Sequence, residues 1–133
     1  MKFVTSKNIC LAFGLPFVGL GVLGFFPNPL ISHHGVFEVN VMHNVLHVVV
    51  GAIFLAGALL SNRVARRTLQ SLSVAGIVLA VLGFVAKNDL ILGVIHVNEA
   101  DKWLHAALAV VLVGIAFFVP SIERRRVRVR EGQ

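Results

Sequence analysis

At 133 residues the chain has the length of one domain, and its apolar fraction of 57% lies above the roughly 45–50% of soluble domains, which argues against a soluble globule. The net charge of +6 invites a nucleic-acid partner. The 12 basic residues, however, fall in short clusters between apolar blocks and form neither a folded reader nor a long basic arm, so that class is set aside.

The first apolar block covers about 9–26 and follows Lys2 and Lys7. It lacks an A-x-A-like cleavage site and runs into the bulky stretch "FFPNPL", so it is expected to stay as a helix and not to be removed as a signal. Pro16 is placed to kink it, and the lone Cys10 excludes an intramolecular disulfide. An outer connection with His33 and His34 leads to the second block, 41–60, which opens "VNVMHNVLH". Arg63, Arg66 and Arg67 fill the next connection before the third block, 70–86. A second outer connection carries Lys87, Asp89 and His96, and "VNEADKWLH" then opens the fourth block, 103–119. Pro120 is expected to stop that helix, leaving 121–133, with "ERRRVRVR", as a basic cytoplasmic tail resting on anionic lipid.

Each block is near the roughly 20 residues needed to cross a hydrocarbon core. The expectation is an all-α, four-transmembrane-helix bundle over 1–120. Basic connections alternate with mixed ones, which by the positive-inside rule puts both termini in the cytoplasm of a bacterial inner membrane. Trp103 falls at the outer interface, and small residues such as Gly14, Gly51 and Gly83 favour close helix packing.

The halves are also similar to each other. "GVLGFFPNPLISHHGVFEVNVMHNVLH" aligns with "AVLGFVAKNDLILGVIHVNEADKWLH" when one residue is deleted, matching Gly24 with Gly83, Asn40 with Asn98 and His47 with His105. Halves of the same orientation are parallel helical-hairpin repeats, which makes the second and fourth helices equivalent and able to face each other.

That equivalence bears on four polar residues. Asn40 and Asn98 are good N-caps, and Asp101, three residues on, suits a first-turn carboxylate. His47 and His105 lie a turn deeper, where no capping role reaches, and an ionisable group there marks a functional site by default. The i, i+4 spacing puts His43 and His47 on one face and Asp101 and His105 on another. Convergence of the two faces offers three imidazoles and a carboxylate, a donor set for zinc, copper or iron. Two other readings stay open. One is an interhelical hydrogen-bond network, with Asn44 as a bridge. The other is a haem or pigment on His47 and His105, which needs a wide cleft that a glycine-rich bundle argues against. His96 aligns with Glu38, so the two are placed to form a rim over this cluster.

The two signatures, with "GVLGFFPNPL" before the first, resemble the bacterial family called domain of unknown function 4383, over roughly residues 9–119. The resemblance implies a four-helix membrane protein and points to His43, Asn44, His47, Asp101 and His105. It implies no substrate or reaction. Lys102 stands where it implies a small polar residue such as asparagine. With no phosphate loop, nucleophile triad or cysteine pair, the chain specifies no enzyme mechanism. The leading expectation is an accessory or binding subunit of a larger membrane complex. The alternative is a metal- or haem-dependent redox or transport protein.

Overall fold

The computed structural model describes residues 4–131, the side chains of 119–131 excepted. Among these residues four helices follow in order: α1 (Ser6–Leu23), α2 (Val41–Leu60), α3 (Asn62–Val85) and α4 (Glu99–Glu131). Each contains a stretch long and apolar enough to cross a membrane, in α4 the segment Glu99–Phe118. The chain is an all-α bundle of four such helices and a multi-pass membrane protein, as composition and block length led one to expect.

The helix starts follow from capping chemistry. Thr5, Asn40 and Ser61 are extended residues whose side-chain oxygens accept the amides of Asn8, His43 and Val64. Asn98 does the same for Asp101. Each oxygen satisfies an amide that has no partner inside its own helix. Ser61 is also the whole connection between α2 and α3. Arg63, Arg66 and Arg67 therefore lie in the first turns of α3, which begins well before the apolar block at 70. Arginine is a good helix former, and a cap placed at Ser61 carries the helix through it.

α1 continues past Pro16. A further difference concerns the other proline in a helix. Pro120 does not stop α4, which continues to Glu131 through a stretch rich in helix-forming arginine. The side chains of the basic tail, and with them its expected lipid contact, lie outside the described residues.

α1 packs mainly on α2 and α3 on α4, and the two pairs meet where α3 crosses α1 and α2. The α1–α2 contact depends on bare backbone: a Cβ at Gly51 would lie 2.7 Å from the Val18 amide nitrogen and 2.9 Å from the Gly14 carbonyl oxygen. Near the Ser61 end, Cys10, Phe54, Ala65, Leu69, Leu112 and Ala116 form a closed apolar cluster. Large side chains such as Leu15, Leu59, Val85 and Val110 point outward, as lipid-facing residues do.

The opposite end carries two short strand pairs where the sequence reading had plain connections. β1 (Ile31–Ser32) pairs with β2 (Phe37–Glu38), and β3 (Leu90–Ile91) with β4 (Ile95–His96). Asn28 knots the first: its Nδ2 donates to the Leu23, Phe26 and Ile31 carbonyls, and its Oδ1 accepts from the Leu30 and Ile31 amides. The second turns through left-handed backbone at Asn88, Asp89, Leu92 and Gly93. The loops are then tied across the bundle. Asn40 Nδ2 donates to the Val94 carbonyl at 2.7 Å, and Asn98 Nδ2 donates to the Val36 carbonyl at 2.9 Å. Each cap thus holds its own helix with one end of its carboxamide and the opposite loop with the other.

Candidate metal centre

The cross-tied loops fix the first histidine. β4 brings the His96 carbonyl oxygen to 2.6 Å from His43 Nδ1. A carbonyl only accepts, so His43 Nδ1 carries the proton and Nε2 is left with its lone pair. His105 is set the same way by its own helix, its Nδ1 lying 2.7 Å from the Asp101 carbonyl oxygen one turn back. Fixing the tautomer through an Nδ1–H bond to a carbonyl is how metal-ligating imidazoles are held.

His47 completes the group from one turn below His43. Its ring lies 4.6 Å from the His43 ring and 5.8 Å from the His105 ring, while His43 and His105 are 5.6 Å apart. One nitrogen from each of the three falls within 4.8 Å of the others. Phe17 of α1 packs edge-on against His47 at 5.3 Å and fixes its ring from behind. Both His47 ring nitrogens are buried with no hydrogen-bond partner among the described residues. A buried unsatisfied polar atom costs about 1–3 kcal/mol, so His47 is not explained as a packing residue.

The fourth expected donor stands apart. Asp101 is buried, yet it is not one of the group within 4.8 Å, and its Oδ2 has no hydrogen-bond partner among the described residues. What it gives His105 is its backbone carbonyl. Asn44 does not bridge the helices either: it is buried against α1, where a Cβ on Gly24 would overlap its carboxamide. The expected rim does meet, through backbone, as His96 Nδ1 donates to the Glu38 carbonyl at 3.1 Å. Lys102 brings no bare charge to the site. Its ammonium lies 2.7 Å from both Asp89 and Glu99, and beside it the Asp89 carboxyl, in the loop, is held below the ordinary carboxylate range.

An apolar chamber of about 100 Å³ opens below the three rings. Phe17, Val50, Phe54, Gly76, Leu79 and Leu108 are among its walls, and the closed cluster near Ser61 is its floor. The His43 ring lies 4.6 Å from that of His47 and 5.6 Å from that of His105, beside the space that a haem held by those two would need.

A family model described as "Domain of unknown function (DUF4383)" matches residues 7–118. No curated protein and no solved structure matches the chain.

Proposed function

Because the chain belongs to the domain of unknown function 4383 family, whose description names no reaction, we propose its function from the site: it binds one transition-metal ion, zinc or copper, in the membrane. The ligands are the Nε2 atoms of His43 and His105 and one ring nitrogen of His47. The observation that carries this reading is His47, buried without a partner beside two imidazoles whose Nδ1 protons are already committed to carbonyls. An all-imidazole set suits zinc and copper, whereas iron sites of this kind usually include a carboxylate. Asp101, one turn nearer the loops, supplies negative charge close to the ion and is not a ligand. The accessory-subunit expectation has less to support it, since outward leucine and valine faces serve lipid as well as a partner.

Elemental analysis of protein purified in mild detergent tests the reading. Close to one equivalent of zinc or copper per chain is expected, and a preparation that neither retains nor takes up either metal sinks it. Imidazole must be neutral to ligate, so the site should lose its ion on acidification. Burial disfavours the charged ring, so the loss should fall below the range in which free imidazole titrates.

The reciprocal bonds of Asn40 to Val94 and Asn98 to Val36 support reading the two hairpins as a parallel repeat. In the orientation we adopt, the strand-bearing loops face outside the cytoplasm of a bacterial inner membrane and the arginines of α3 face inside. Cysteines introduced at the exposed positions Lys87 and Arg63 check it, since the native Cys10 is fully buried. An impermeant maleimide should label the first in intact cells and the second only after permeabilisation. The opposite pattern reverses the topology.

A further inference from the structure

The two ends of the ring cluster differ in what they offer an arriving cation. The chamber below the rings is walled mostly by apolar side chains and by no carboxylate, so an ion crossing it would lose its hydration without replacement. The loop end is acidic. Of the carboxylates there, Asp89 and Glu99 are held by the Lys102 ammonium at 2.7 Å each. Glu38 and Asp101 have no lysine or arginine partner among the described residues. Asp101 is only 2% exposed; its carboxyl accepts the Asn98 amide, and its Oδ2 is left without a partner. The titratable groups that face this carboxyl are His105 of the ring cluster and, from the loops, His96 and Glu38. His96 is half-buried and gives its Nδ1 proton to the Glu38 carbonyl, so its Nε2 keeps a lone pair, as in His43 and His105. Exposure falls in order from Glu38 through His96 to Asp101, and beside Asp101 stands a ring of the cluster.

We propose that Glu38, His96 and Asp101 form a loading site, which takes a divalent ion from the water above the loops and passes it to the three imidazoles. This rests on the metal reading of the ring cluster. Carboxylate oxygen and imidazole nitrogen are both zinc donors, and the negative charge of the two carboxylates offsets that of the ion. Asp101 Oδ2 stays on the ion while His105 Nε2 replaces the outer donors, and it lets go once His43 and His47 complete the set. No electron moves, and no proton need move, because each neutral imidazole already presents a lone pair. A group that relays the ion in this way speeds entry and exit alike and leaves the equilibrium unchanged. A charge that only attracts the ion raises the entry rate and the affinity together, and a carboxylate that only caps α4 contributes stability.

Rates separate these roles. For entry, zinc-free protein in mild detergent is mixed with zinc chloride and quenched with EDTA at set times, and the retained zinc is measured. For exit, zinc loss from loaded protein is followed in excess EDTA. In Asp101→Asn both rates should fall about tenfold or more, with zinc still bound at equilibrium as in the wild type. His96→Ala leaves the main-chain carbonyl on His43 Nδ1 in place. It should slow both rates as well, and it serves alone if Asp101→Asn does not fold. Unchanged rates in the variants, or slower entry without slower exit, overturn the proposal. So does complete loss of zinc in Asp101→Asn, which would make the carboxylate a permanent ligand. Each of these outcomes leaves the metal reading standing, whereas wild-type protein that takes up no zinc overturns both.

Discussion

His105→Ala is expected to leave a folded protein without stoichiometric metal. His105 contributes one of three nitrogens that lie within 4.8 Å of one another, and its Nδ1–H is bound to a carbonyl of its own helix, so the ring has no partner on another element except the site. Loss of an outer-shell partner typically lowers metal affinity about 10- to 100-fold. Removing a ligand from a set of three should exceed that, and metal content after dialysis should drop to background. Thermal stability without added metal should change little, because a half-buried ring bonded only within α4 is being truncated. In a purely structural hydrogen-bond network the two readouts would exchange places, with stability falling and metal content unaffected. Asp101→Asn is the companion variant. It should retain metal, and a loss as complete as that of His105→Ala would make the carboxylate a fourth ligand.

Gly51→Val should destabilise the bundle strongly. Its Cβ would sit closer to Val18 N and Gly14 O than real Cβ atoms come to such atoms, and both are backbone atoms of α1 that cannot rotate away. The axes of α1 and α2 must separate. Overpacking a close contact costs about 1–3 kcal/mol and sometimes more, against a total stability on the order of 5–15 kcal/mol. The melting temperature in detergent should fall clearly, and metal affinity with it, because α1 carries the Phe17 ring that backs His47. Gly114→Ala is the matched control. Nothing lies within 4 Å of its Cβ position, so it should be neutral or slightly stabilising. A Gly51→Val protein that melts with the wild type would mean that α1 and α2 do not pack as described.

Much of this was legible in the amino-acid sequence because the responsible forces leave periodic or compositional marks. Apolar blocks marked the four spans, and Asn40 and Asn98 announced the starts of α2 and α4 through capping chemistry. The spacing of His43 and His47, with His105 at the aligned position, was enough to predict that the three rings meet. Three features were not legible. The start of α3 was hidden because an arginine-rich stretch reads as a connection until Ser61 is recognised as a cap. The carbonyl of His96 that sets the His43 tautomer has no side-chain signature, since any residue supplies a backbone oxygen. The chamber has no mark in the sequence because glycine in a membrane helix suggests tight packing, and only the fold separates Gly51, pressed on backbone, from Gly76, facing open space. The i, i+4 spacing places Asp101 beside His105, and the contact between them that the structure shows is made through the Asp101 carbonyl.

The cross-ties between the loops also set an order of assembly. Asn40 to Val94, Asn98 to Val36 and His43 to His96 join residues 54, 62 and 53 apart in sequence. α2 and α3, by contrast, share a single connecting residue and can close on each other as soon as both have emerged. Contacts of long sequence separation form after local ones, because the intervening chain must first be confined. The three histidines therefore come together only once the fourth helix has been made and both loops have been laced over the top. A nascent chain with two or three helices in the bilayer holds His43 and His47 but not the carbonyl that orients the first or the third ring that completes the set. The grouping of the three rings is thus a property of the chain with all four helices in place.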